Sequence, residues 1–154
     1  MAGGWHLAQY NIARLVAPLD DARMADFVAN LDPINALGDA SPGFVWRHQT
    51  AEGNSTGVRV RGDDRIVINF TVWESVEALF EYAFHSKHVE VYRRRREWFA
   101  HDDDVPFAVL WWIPAGHIPT VEEGKARLAR LASRGPTQEA FTFKQTFPPP
   151  ELAA

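Results

Sequence analysis

The chain has 154 residues, 46% hydrophobic and 23% charged, with a net charge of −4 and no cysteine. One domain is expected, burying roughly 70% of the surface of its unfolded chain. Disulfides, thiolate nucleophiles and Cys-ligated metals are excluded, and the negative charge gives nucleic acid or anionic lipid no general attraction. Apolar runs fall far short of a membrane span, and MAGGWHLAQY lacks a basic region followed by an apolar core. A cytoplasmic location without membrane contact is therefore the expectation.

WHLAQYNI, Trp5 to Ile12, predicts a first strand. A helix should open near Asp20 with Met24, Phe27, Val28 and Leu31 as its stripe, ended or kinked by Pro33. The turn through Ser41, Pro42 and Gly43 leads into a second strand, Phe44 to Gln49, and the polar, glycine-containing stretch from Thr50 to Asp64 reads as a long hairpin connection. In RIVINFTVW, Arg65 to Trp73, the residues Ile66, Ile68, Phe70 and Val72 alternate with Val67, Asn69, Thr71 and Trp73, the period of a strand.

Neither Gly nor Pro occurs from Glu74 to Ala100, which predicts a helical region. At spacings of three and four, Tyr82, His85, Val89, Tyr92, Arg96 and Phe99 form one stripe that should face inward. Glu90 and Glu97 are placed to pair with the arginine run, so Arg94 and Arg95 read as a solvated face. Arg93 and Arg96 carry two readings, surface ion pairs or the positive side of a pocket. His85 and His88 have the spacing for a divalent metal, but no acidic third ligand is near in sequence, and no metal site is assigned.

PFAVLWWIP, Pro106 to Pro114, supplies a fourth strand, apolar on both sides; adjacent Trp111 and Trp112 should point to opposite faces, one of which a second subunit would cover. The order βαββαβ is ferredoxin-like, an α+β fold. Thr120 with Glu123 has the capping-box spacing for a further helix ending near Gly135, and AFTFKQTF alternates as a last strand. Residues 1–147 form the domain, with a tail from Pro148 to Ala154 that should fray. Six tryptophans and ten phenylalanines suit either a thick core or a partly aromatic ligand cavity. No G-x-S-x-G, P-loop or G-x-G-x-x-G occurs.

Packing the helical stripe over the Asn69 and Trp73 face would gather Asn69, Trp73, Tyr82, His85, Tyr92, Arg93 and Arg96 into one cleft between sheet and helices. An arginine facing such a cleft needs an anionic or strongly accepting partner, and a substrate can supply it.

The segments LAQYNIARL (Leu7 to Leu15), SPGFVWR (Ser41 to Arg47), VWESVEAL (Val72 to Leu79), RRRREWF (Arg93 to Phe99) and LWWIPAGHIPT (Leu110 to Thr120) together resemble a bacterial family known only as domain of unknown function 3291. That resemblance implies a dimeric α+β barrel, in which two ferredoxin-like subunits pair their sheets, and hence a homodimer. The wider superfamily includes cofactor-independent quinone-forming monooxygenases that use an Asn and a Trp four residues apart on the third strand and an Arg on the next helix. Asn69, Trp73 and Arg93 resemble that set, implying a monooxygenase-like enzyme on a small phenolic substrate; Leu79 stands where a phenol is expected, and Tyr82 would replace it. Asn11, Tyr82, His85, Tyr92 and Arg96 are the accompanying substrate-binding candidates. Haem-degrading relatives imply the alternative, with Asn11 and Tyr82 matching and the iron-ligand position falling on Tyr92 or Arg93. A non-catalytic ligand-binding dimer is the third reading.

Overall fold

The computed structural model describes residues 4–18, 20–48, 66–86, 88–99 and 108–150, without the side chains at 91, 92, 95 and 96. Its elements are β1 (Trp5–Arg14), α1 (Ala25–Asp39), β2 (Phe44–Arg47), β3 (Ile66–Trp73), α2 (Val76–His85), α3 (His88–Arg93), α4 (Arg95–Trp98), β4 (Ala108–Pro114) and α5 (Val121–Arg134). The strands form one antiparallel sheet in the order β2-β3-β1-β4, the ferredoxin-like arrangement. The expected connection from Thr50 to Asp64 lies outside the described residues.

Register decides which side chains share a face. Leu7 pairs with Trp73 and Trp112, Gln9 with Thr71 and Leu110, Asn11 with Asn69 and Ala108, and Ala13 with Val67. Those rows make up the face under α1 to α4. On the other face Ala8, Tyr10, Phe70, Val72, Val109, Trp111 and Ile113 form an apolar cluster with Leu131 of α5.

This second face is closed by the same chain. Thr120 accepts a hydrogen bond from the Glu123 N–H and caps α5, whose Val121, Leu128 and Leu131 pack on the cluster with Trp46 from β2. Gly124 faces the sheet at closest approach, where a Cβ would meet the Tyr10 ring at 2.5 Å. Phe70 is 0% exposed and Trp111 1% within one chain. Trp111 and Trp112 do point to opposite faces, Trp112 donating its indole N–H to Phe147 O at 2.8 Å. The expectation that a second subunit must cover one side of the fourth strand is thus corrected: α5 and the C-terminal segment supply both covers.

Three further expectations change. Of the two outcomes expected at Pro33, an end or a kink, the end does not occur: α1 runs through it, and Pro33 and Ala29, whose carbonyl loses its helical partner, are both exposed. The helical region after Glu74 breaks at Ser86, whose hydroxyl donates to Tyr82 O and accepts from His88 N–H, taking over the bonds that would have continued α2. The stripe from Tyr82 to Phe99 is therefore not one helical face. Finally, Ala140 to Phe147 forms isolated bridges and turns instead of a strand, with Phe141 bonded to Leu110 at the β4 edge. The start of the expected tail is tied down, because Gln138 Nε2 donates to Pro148 O at 2.6 Å; residues 151–154 are outside the described set.

Candidate functional site

On the face under α1 to α4, two apolar clusters sit at opposite ends. One gathers Leu7, Trp73, Leu79, Leu110 and Phe141; the other gathers Leu15, Met24, Phe27, Val67 and Trp98. Between them run two polar rows, Gln9 beside Thr71 and Asn11 beside Asn69. Strand alternation put four neighbouring polar positions on this one face, where a closed core would carry apolar ones.

The rows differ in access. Gln9 and Thr71 are 9% and 7% exposed and hydrogen-bonded to each other, Thr71 Oγ1 donating to Gln9 Oε1 at 2.8 Å. Trp73, fully buried, donates its indole N–H to Thr71 Oγ1 at 2.9 Å, and Gln9 Nε2 donates to Asn11 Oδ1. Asn11 is half-buried and Asn69 exposed, and the Asn69 side chain makes no hydrogen bond among the described residues. An amide on an otherwise buried strand, open to solvent and uncommitted, is the chemically available group of this floor.

Aromatic rings stack at the Trp73 end of this face. Tyr82 stacks on Trp73 with centroids 5.1 Å apart, and His88 lies 4.9 Å from Tyr82. The Tyr82 hydroxyl reaches α1, donating to Ile34 O at 3.2 Å above Gly38, where a Cβ would press on the phenol. Burial, with the Asp39 carboxylate adding to it, pushes the Tyr82 pKa well up, so it stays a neutral phenol and is no base near neutral pH. Burial also lowers the His88 pKa, against a smaller opposing effect of its bond to Ala83. Its Nδ1 lies 3.0 Å from Ala83 O, and a carbonyl only accepts, so Nδ1 carries the hydrogen and Nε2 the lone pair.

The sequence-derived candidates separate. Asn11, Asn69 and Trp73 share the floor, and Tyr82 joins through its stack. His85 is exposed beside Phe80 and lines a groove of about 510 Å³ with Glu74, Glu77, Glu81, Tyr82 and the Ser41 to Gly43 turn. That groove carries three carboxylates and neither amide, which disfavours an anionic ligand there. Arg93 is exposed at the end of α3, in no ion pair among the described residues and with no hydrogen bond to Asn69. Arg94 is the solvated arginine expected, bonded to Glu97 and Asp26 and lying over Trp98. The side chains of Tyr92 and Arg96 lie outside the described residues.

His85 and His88 fall on different helices, so the i, i+3 geometry of a single helix does not apply to them; among the described residues no three His, Cys, Asp or Glu converge as a metal site. For haem the two candidate imidazoles fit poorly: His85 is exposed beside Phe80, and His88 is held by Ala83 and Tyr82. Gln9 and Thr71 were missed in the sequence. Their signal was positional, since each lies two residues from a candidate and hence on its face.

A family model described as Domain of unknown function (DUF3291) matches residues 6–154. No curated protein matches the chain. Among solved structures it is similar to SnoaB, a cofactor-independent oxygenase from Streptomyces nogalater, at 15% identity and a TM-score of 0.49, covering 73% of this chain and 95% of that one. It is also similar to PA3566 from Pseudomonas aeruginosa, at 12% identity and a TM-score of 0.48, covering 76% and 98% respectively. A protein of unknown function from Nitrosomonas europaea, NE2512, follows at 12% identity and 0.45, covering 77% and 98%.

Proposed function

The chain belongs to that family of domains of unknown function, and we propose that it is a cofactor-independent, monooxygenase-like enzyme that holds a small phenolic substrate on the amide floor of β1 and β3. The observation that carries this reading is the Asn69 side chain, exposed and without a hydrogen bond among the described residues, opposite Asn11 and between two aromatic-rich apolar clusters. An aromatic ring would rest on apolar surface while its oxygen accepts from an amide N–H.

The chemistry needs no outside reductant. A substrate whose ring carries an oxidisable methylene reacts with one molecule of dioxygen to give a ring carbonyl and one molecule of water. Both C–H bonds and the O–O bond break; one oxygen atom stays on the carbon as the carbonyl, and the other leaves with the two hydrogens. The methylene carbon is oxidised by four electrons and dioxygen is reduced by the same four, so the step balances. In this reading the Asn69 and Asn11 amides are the donors that stabilise the phenolate and reduced oxygen, and Arg93, exposed at the end of α3, is the candidate cation. No step is assigned to haem.

The test is oxygen uptake with a panel of anthrones and naphthols under air, with quinone formation followed by absorbance. Protein-dependent uptake is expected, falling by roughly 10²-fold or more in Asn69→Ala at an unchanged melting temperature, as for the loss of one oxyanion donor. Binding of the panel without uptake would replace the enzyme by a ligand-binding protein.

A further inference from the structure

The hydrogen bonds beside the two amides run in one direction, starting from an indole that can only donate. Trp73 Nε1 can only donate, so Thr71 Oγ1 accepts, at 2.9 Å. The hydroxyl hydrogen of Thr71 then goes to the neighbouring oxygen, Gln9 Oε1, at 2.8 Å. With that oxygen fixed, Gln9 Nε2 is the end that meets Asn11, and Asn11 receives it on Oδ1. The NH2 of Asn11 is thereby turned from Gln9, and its hydrogens make no bond among the described residues. Rotating Asn11 alone would set its NH2 against the Gln9 NH2, and rotating Gln9 alone would set its oxygen against Asn11 Oδ1, where Gln9 and Thr71 are 9% and 7% exposed, too closed for water to repair the mismatch.

We propose that Gln9 and Thr71 are positioning residues that fix the polarity of the Asn11 amide, so that the floor selects ligands presenting a hydrogen-bond acceptor, a phenolate or quinone carbonyl oxygen, over ligands of the same shape presenting only donors. The proposal rests on the amide floor being the ligand site and adds what the ligand must present. A carboxylate at position 9 reverses the logic. It accepts from Thr71 and can only accept from Asn11, which must rotate and show its carbonyl oxygen instead.

The experiment has a ligand-free arm and a ligand arm, both at pH 8 where an introduced carboxylate is ionised. By NMR side-chain hydrogen exchange, the wild-type Gln9 amide hydrogens should be protected and those of Asn11 should exchange near the free rate; in Gln9→Glu, Asn11 should gain a protected hydrogen. By calorimetry, wild type should prefer 1,4-naphthoquinone over 1-naphthylamine by about tenfold, the worth of one hydrogen bond. Gln9→Glu should reverse the order, Thr71→Val should bring the ratio near one, and Thr71→Ser should restore it.

A purely structural role for Gln9 would weaken both probes in parallel, and that result overturns the proposal. Protected Asn11 hydrogens in wild type overturn it as well, as does binding of both probes without preference, which leaves the ligand site standing. If neither probe binds wild type, the ligand-site reading falls and this proposal with it.

Discussion

At Tyr82 the fold acts on a single phenol from several sides. Burial against Trp73 and the nearby Asp39 carboxylate raise its pKa, while Arg47, which holds Asp39 at 3.0 Å, works weakly the other way. The folded state keeps the proton that the unfolded chain releases near pH 10, so the unfolded state binds fewer protons and stability falls as pH rises above that point. The expected slope is at most about 1.4 kcal/mol per pH unit from this group, starting near pH 10. Urea unfolding at pH 9 and pH 11 should show a smaller alkaline loss in Tyr82→Phe than in wild type. At pH 7 the same variant loses only the bond to Ile34 O, about 1 kcal/mol. An equal alkaline loss in both proteins would mean that the phenol is not held neutral.

Among the elements, two joints carry more than their size suggests. Ser86 ends α2 and starts α3 with one hydroxyl, and α3 holds the His88 ring against Tyr82. Ser86→Ala removes both bonds, with an expected cost of about 1 kcal/mol, typical of a lost cap, and a change in Trp73 fluorescence as the Tyr82 stack shifts. The second joint is Gly124, where α5 crosses β1. A methyl there would meet the ring of fully buried Tyr10 at 2.5 Å, so Gly124→Ala should destabilise by about 1–3 kcal/mol although alanine favours helix. A neutral or stabilising result would show that α5 does not lie on the sheet as described.

For the whole molecule, closure of the second sheet face removes the physical argument for sheet-to-sheet pairing. A sheet apolar on both sides needs two covers, and here both come from one chain. Folding should therefore not depend on association: the melting temperature is expected to stay constant between about 1 and 100 μM, whereas a rise with concentration would mark a coupled dimer. None of the helices among the described residues is long and apolar enough to cross a membrane.

Much of this fold was legible in the chain because it depends on neighbours. The two-residue period of RIVINFTVW put Asn69 and Trp73 on one face, and Thr120 with Glu123 marked the start of α5, since strand alternation and capping are set within a few residues. Helix continuity past Ser86 was misjudged: freedom from Gly and Pro permits a helix, but a serine hydroxyl can take the backbone bonds that would extend it. The floor itself was decided only in three dimensions. Thr71 and Gln9 are 62 positions apart, and their hydrogen bond exists because β1 and β3 pair in one register. That register sets the polarity of Asn11, and the packing of α5 on the opposite face decides which side of the sheet is closed. Local sterics wrote the elements, while long-range pairing chose which polar groups are satisfied and which are left open to solvent.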